Sequence, residues 1–347
     1  MSNMMLRVWR GEARYLRAAL FLPLWFLSWV YRICLGAREH LYRTGLFRIE
    51  QASIPVVSVG NITVGGTGKT PIVELLSRRL KAHGFAPGIV TRGYKRKRAG
   101  TFSVDPKRDD ATSVGDEAFM LAKRTHLPVV VGTKRIEAIE LGMREHAIDV
   151  AVLDDGYQVR DLRKDMEILV LSGRPEDEGG MLFPLGPYRE PFQSIRGADA
   201  IVVSKGDVSV GAREFMQAIP TFKVSYRPVF IHNLKRDLIG PCVFLKGKKV
   251  LAFAGLGDNR SFFELLRDLG ADVVHEIEFP DHHEYSADDM ERVSSYRDVE
   301  MLVTTEKDAV KMNRLDIPKN LFYLAIEAAV ENEEELIGLI VQKLRGK

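Results

Sequence analysis

Beyond Ser53, short apolar runs alternate with segments of helical spacing. "IPVVSVG" (54–60) is a β-branched run closed by glycine. "TPIVELLSRRLKAHG" (70–84) has apolar residues at 72, 73, 75, 76 and 80 and ends on Gly84. Together these predict a strand, a glycine-rich loop and a helix. The alternation continues through "PGIVTRG", "DEAFMLAKR", "LPVVVG", "RIEAIELGMREH", "IDVAVLDDG", "MEILVLS" and "ADAIVVSK". Mostly unbroken apolar strands spaced by helices imply a parallel sheet covered on both faces. Such sheets bind ligands beyond the carboxyl ends of their strands, where Gly60–Thr70, Thr91–Arg98 and Asp154–Gln158 fall. From about residue 222 the pattern changes to two extended stretches, "TFKVSYRPVFI" and "CVFLKGKKVLAFAG", around a polar segment. The expected organisation is a core over 51–222, a two-strand connection over 223–250 and a smaller α/β domain over 251–347.

The first 50 residues follow neither pattern. "AALFLPLWFLSWVY" (18–31) is uncharged and as a helix would reach roughly 21 Å, short of the ~30 Å hydrocarbon core of a bilayer. Residues 33–51 are more polar and are expected to lie along a surface or lead into the core. Eight arginines (7, 10, 14, 17, 32, 38, 43 and 48) face only Glu12, Glu39 and Glu50. That asymmetry suits an anionic surface, with Trp25 and Trp29 at headgroup level in an interfacial or shallowly inserted helix. A buried core helix and a cleaved signal peptide are the competing readings.

With 347 residues, 46% hydrophobic and 28% charged, the chain is long enough for two domains with their own cores. A net charge of +3 gives no argument for nucleic acid. Cys34 and Cys242 are too few and too far apart for a disulfide framework.

The loop "GNITVGGTGKTP" is close to the phosphate-binding G-x-x-x-x-G-K-[ST] pattern but has Thr63 where the first glycine is expected. The working parts remain. Gly65, Gly66 and Gly68 allow backbone N–H groups to turn toward an anion, and Lys69 reaches the phosphates. Thr70 can ligate magnesium as the helix begins. Thr63, Val64, Gly65, Gly66, Thr67, Gly68, Lys69 and Thr70 are therefore the candidate nucleotide-binding residues. A site of this kind needs acids at another strand end, and Asp154 and Asp155 follow an apolar run before Gly156.

Other polar clusters are more ambiguous. In "SVGDEAFMLAKR", Asp116 or Ser113 reads as a helix N-cap and Glu117 as a first-turn acid; in a kinase, a carboxylate here could instead face the acceptor hydroxyl. "TRGYKRKR" (91–98) is either a solvated basic loop or a contact for a phosphorylated or membrane-bound substrate. "SKGD" (204–207) lacks the asparagine of a guanine-reading motif. His275, His282 and His283 fit no recognised metal spacing, and "GLGDNRSFFELL" lacks the third glycine of a dinucleotide turn.

Taken in order, "VWRGE", "LFLPLWFLSWVY", "GNITVGGTGKTP", "TRGY", "GDE", "LDDGYQ", "FPLGPYREP", "FPDHHEY" and "TTEKDAV" resemble the tetraacyldisaccharide 4'-kinase family, the lipid A 4'-kinases of Gram-negative bacteria. The resemblance runs over nearly the whole chain. It implies a P-loop NTPase-type parallel sheet covered by helices, with a smaller C-terminal α/β domain and an N-terminal membrane-associated helix. It also implies ATP and Mg2+ as cofactors and transfer of the γ-phosphate to the 4'-hydroxyl of a disaccharide 1-phosphate lipid. The expected place is the cytoplasmic face of the inner membrane, with neither nucleic acid nor an obligate protein partner. Carried over residue by residue, Lys69, Asp116 and His282 are catalytic, with His282 paired to Asp116. Thr70, Glu117, Asp154 and Asp155 surround magnesium, and Tyr94, Gln158, Arg189 and Glu190 line the cleft for substrate. Val159 stands where the family commonly has histidine, so no role for that histidine carries over. A P-loop GTPase or ATPase of the metallochaperone type, and a nucleotide-binding membrane regulator without transferase activity, remain open on the residues alone.

Overall fold

The computed structural model describes residues 5, 8–9, 14–173, 180–204, 206 and 208–346. Lys205 and Asp207 of "SKGD", most of "VWRGE", and Arg7 and Arg10 lie outside them. Among the described residues, thirteen strands form one sheet in the order β11-β10-β12-β13-β8-β7-β6-β1-β5-β2-β4-β3, with β9 (Leu238–Gly240) attached to β8.

The first parallel set comprises β1 (Val56–Gly60), β2 (Pro87–Thr91), β4 (Val129–Val131), β5 (Val150–Asp154), β6 (Met166–Ser172) and β7 (Ala200–Ser204); β3 (Phe102–Ser103) runs antiparallel at its edge. A second parallel set holds β10 (Lys249–Ala254), β11 (Asp272–Glu278) and β12 (Met301–Thr305). Two long strands join the sets. β8 (Thr221–Asn233) lies parallel to β7, and β13 (Leu321–Val330) lies parallel to β12. β8 and β13 pair with each other antiparallel, from Val224–Val330 to Asn233–Phe322. The carboxyl ends of the two sets therefore face each other across the middle of this pair, and that is where a ligand cleft must open.

Helix α1 runs Arg14–Arg43 as one 30-residue element, about 45 Å long at 1.5 Å per residue. Sequence alone expects the residues beyond Tyr31 to lie along a surface or lead into the core. The polar residues beyond that point did not end it, because they continue one face rather than supplying a stop signal. Its stretch Ala19–Arg43 is long and apolar enough, by length and composition, to cross a membrane. Phe21, Leu22, Trp25, Phe26, Trp29, Val30 and Ile33 are exposed, which rules out a buried core helix.

In the first half of the sheet, α2 (Lys69–Ala82), α4 (Asp116–Thr125) and α10 (Glu333–Arg345) cover one face through Ile72, Leu76, Leu121, Leu336 and Ile340. On the other face, α5 (Arg135–His146) packs Ala138 and Ile139 against Val90 and Leu153. The second half is covered by α7 (Asn259–Asp268) on one side and α8 (Ala287–Ser294) on the other. Two short helices, α3 (Ala111–Val114) and α9 (Glu306–Ala309), sit at the cleft, and α6 (Val210–Arg213) follows β7. Cys242–Leu245, read as extended from sequence, is a 3-10 turn beginning after Pro241, a residue that cannot donate to a strand ladder. Asp258 caps α7 through the Ser261 N–H, so "GLGD" is a helix cap and not a dinucleotide turn.

One ion network binds the two halves. Arg124 of α4 reaches Glu74 of α2 at 3.0 Å and Glu306 of α9 at 2.7 Å, and also donates to the Ile326 carbonyl oxygen at 2.9 Å. Burial raises the pKa of both glutamates despite the lowering effect of Arg124. Carboxylates with raised pKa values stabilise the fold less as pH rises through those values. Arg124→Met would leave Glu306 buried without its cation and Glu74 with Arg78 at 2.9 Å, at a cost of roughly 3–5 kcal/mol near neutral pH. The deficit should shrink as pH falls and the glutamates protonate. Denaturant melts of the variant at neutral and mildly acidic pH check this; an equal deficit at both would count against it.

Candidate active site

β1 ends at Gly60, where an added Cβ would lie 2.5 Å from the Tyr157 Cβ. The loop that follows is anchored on three sides. Asn61 donates to Thr67 Oγ1 at 3.0 Å, Ser204 Oγ to the Thr67 carbonyl at 2.9 Å, and the Tyr226 hydroxyl of β8 to the Gly68 carbonyl at 3.1 Å. Gly68 has φ 81°, and a Cβ there would meet the Tyr226 hydroxyl oxygen at 1.8 Å, so both conformation and space demand glycine. Thr63 is buried and bridges to Tyr188, while the Val64 N–H donates to the Pro187 carbonyl at 2.7 Å. The departure from the glycine pattern thus falls where the loop pairs with segment 182–190, in an extended arrangement that threonine adopts readily.

Lys69 leads into α2 and lies 3.4 Å from Asp155 Oδ1. Arg189 clamps the same carboxylate at 3.0 and 3.1 Å and also contacts Asn61 Oδ1; Gln158 Nε2 donates to the Asn61 carbonyl at 2.7 Å. Burial alone would raise the Asp155 pKa, but Lys69 and Arg189 drive it well below the usual range. Its neighbour behaves oppositely. Asp154 is raised to about 7 by burial and by the charges of Glu117 and Asp155, against which Lys69 is insufficient.

Opposite this strand end, Asp110 and not Asp116 supplies the helix cap, through a capping box with Ser113 that closes α3. Gly115 then starts α4 without a side-chain cap, so Asp116 is free to point elsewhere. It is 7% exposed. Its Oδ1 accepts from the Glu117 N–H at 3.1 Å, and its Oδ2 lies 2.8 Å from His282 Nδ1 of the second strand set. Tyr94 lies edge-on to the His282 ring at 4.9 Å, and Lys95 donates to the His282 carbonyl at 3.3 Å. His282 and Asp155 hold φ values of 58° and 57°, left-handed conformations whose cost the surrounding contacts must offset.

Of the residues singled out from sequence, Lys69, Asp155, Gln158 and Arg189 thus form one cluster and Asp116, His282 and Tyr94 another. Glu117 and Asp154 interact electrostatically between them. Glu190 is turned away toward α1, paired with Arg38 at 2.6 Å. His275 pairs with Asp298 and His283 with Asp289; among the described residues no group of three His, Cys, Asp or Glu is arranged for a metal. Sequence reading missed Asn61, Tyr226, Arg124 and Lys307. All four sat inside stretches already quoted, but none carried a local signal of its contact.

A glycine loop between strand and helix, a lysine at its end and acids at the neighbouring strand end define a P-loop protein of the phosphoryl-transfer class. The profile of the family described as LpxK, tetraacyldisaccharide-1-P 4'-kinase, matches residues 20–345. Tetraacyldisaccharide 4'-kinase of Shewanella pealeana is 37% identical over 311 residues, covering 88% of this chain and 90% of the relative. The Methylobacillus flagellatus enzyme of the same name is 38% identical over 305 residues, covering 88% and 87%. A crystal structure of LpxK from Aquifex aeolicus in complex with ATP superposes with a TM-score of 0.77 at 35% identity, covering 95% of this chain and 99% of that one. The chain belongs to the tetraacyldisaccharide-1-P 4'-kinase family and is a kinase of lipid A biosynthesis, acting on the 4'-hydroxyl of a tetraacyldisaccharide 1-phosphate. That sets aside the GTPase and metallochaperone reading.

Proposed function

We propose that ATP lies on the loop Thr63–Thr70, that Lys69 neutralises charge developing on the transferring phosphoryl group, and that Asp116 receives the proton of the 4'-hydroxyl. The observation that carries this reading is the 2.8 Å contact of Asp116 with His282, which joins the carboxylate beside the P-loop to the second strand set. The ATP complex of the Aquifex aeolicus relative supports the choice of nucleotide. Positioning and electrostatics do most of the work in such transfers. Tyr94, Gln158 and Arg189 line the acceptor side; Glu190 serves by holding the segment that carries Arg189.

Thr70, Glu117, Asp154 and Asp155 would hold magnesium. In this structure the three acids are not drawn into a metal-holding group; what fits the ion is their charge, since burial together with Glu117 and Asp155 pushes the Asp154 pKa up to about 7, an excess that a divalent cation relieves. When bound, the ion shields the phosphate oxygens. We further place the domain boundaries near 222 and 250, and the His282–Asp116 contact already joins the two parts, so closure over substrate would have to keep it.

On this reading α1 lies in the membrane interface at the cytoplasmic face of the inner membrane. Ser28, Tyr31 and Arg38 hold one side of it to segment 182–190, while Trp25 and Trp29 on the exposed side meet lipid. Incubation with γ-labelled ATP and detergent-dispersed disaccharide 1-phosphate tests the transfer. Label should appear in the lipid; label in free phosphate alone, or in neither, would overturn it.

A further inference from the structure

Lys307 has no role in the mechanism above, yet it lies where the two halves of the site meet. It sits in "TTEKDAV", where β12 gives way to α9. The backbone of that turn is tightly fixed. Thr305 Oγ1 accepts from the Asp308 N–H at 3.1 Å and its hydroxyl donates to Asp308 Oδ2 at 2.7 Å; the same Oδ2 accepts from the Gly255 N–H at 2.9 Å. One residue before Lys307, Glu306 is locked to Arg124. Held in this way, Lys307 Nζ lies 3.2 Å from His282 Nε2, 3.2 Å from Glu117 Oε1 and 3.5 Å from Asp281 Oδ1.

The chemistry of these contacts fixes where the protons are. A lysine ammonium only donates. Glu117 and Asp281 flank the ammonium, and His282 Nε2 lies on its remaining side. His282 Nε2, facing a donor, must present its lone pair. Nδ1 faces a carboxylate oxygen of Asp116 and must carry the hydrogen.

We infer that Lys307 is a positioning residue for the Asp116–His282 pair: it holds His282 as the neutral Nδ1–H tautomer and ties that pair to Glu117. The imidazole then orients Asp116 without withdrawing its charge, and Nδ1 has no vacancy for the proton that Asp116 receives. This rests on the reading of Asp116 as proton acceptor. His282 is otherwise faced by Asp281, whose Oδ1 is 3.8 Å from Nε2, by the Tyr94 ring, and by Lys95 at its carbonyl. In Lys307→Met, Nε2 would face Asp281 with no cation between them, so the imidazole would protonate and Asp116 would be bound in an ion pair.

Two measurements test this. First, 15N spectra of the wild-type enzyme should show His282 protonated at Nδ1 only; an Nε2–H tautomer or an imidazolium would overturn the inference without any variant. Second, Lys307→Met should add to kcat an acid limb that the wild-type profile lacks, with KM for ATP little changed. Lys307→Arg should keep most of the wild-type profile. A Lys307→Met profile superimposable on wild type would also overturn it. Asp116→Ala run in parallel separates the two claims: if that variant retains turnover, the acceptor role fails while the tautomer measurement stands by itself.

Discussion

Asp116→Ala is expected to lower kcat by roughly 10²–10⁴-fold, the usual contribution of a positioned general base, while ATP affinity stays nearly unchanged. The carboxylate is buried at the start of α4, with His282 on one oxygen and Lys311 3.8 Å away. Burial raises its pKa, but the hydrogen bond from His282 and the charges of Lys307 and Lys311 outweigh that and set it at about 2. Asp116 is therefore ionised throughout the working range and always ready to accept. So low a pKa makes it a weak base, which suits a loose phosphoryl-transfer transition state in which the acceptor hydroxyl is held in line and loses its proton late. Because the folded pKa is depressed, the ionised group contributes stability above its ordinary value near 3.8, about 2 kcal/mol, lost as pH falls toward 2. A melting curve must accompany the kinetics so that lost stability is not mistaken for lost chemistry. Near-normal kcat in a folded variant would sink the assignment.

Removing residues 1–40 should cost activity as well as membrane partition. The helix does more than anchor. Ser28 donates to the Leu182 carbonyl at 3.0 Å, Tyr31 to the Arg189 carbonyl at 2.9 Å, and Arg38 pairs with the buried Glu190. Without Arg38, Glu190 keeps only Arg160 at 3.9 Å among the described residues, and breaking a buried pair from one side costs roughly 3–5 kcal/mol. The segment so loosened carries Arg189, the clamp on Asp155, and supplies the Tyr188 bridge to Thr63. Displacement by about 1 Å at such a point lowers turnover by roughly 10²-fold, even on detergent-dispersed substrate. Trp25→Ser combined with Trp29→Ser, on the exposed side, should weaken vesicle binding and spare that activity. Full activity of the truncated chain on dispersed substrate would disprove the coupling.

The parts of the site that were legible in sequence are those built from adjacent residues. The loop Gly60–Thr70 states its chemistry locally, because glycines, lysine and threonine follow one another at the spacing a phosphate requires. Asp154 and Asp155 are legible as the polar end of an apolar run. The pairing of Asp116 with His282 spans 166 positions and entered only through the family resemblance. Lys307 lay unremarked inside "TTEKDAV" and Arg124 at the end of "DEAFMLAKR", since a charged side chain carries no local mark of the partner that will bury it.

By itself the sequence determined the alternation of strands and helices, the phosphate loop and the apolar, aromatic side of α1, because periodicity and turn chemistry act over a few residues. Tertiary structure alone decided that β8 and β13 run antiparallel and turn two sets of strand ends toward one cleft. It also placed Lys307 between His282 and Glu117 and made α1 part of the site. These features depend on pairing between distant segments, whose register is chosen by the packing of the whole sheet and is written in no single stretch of chain.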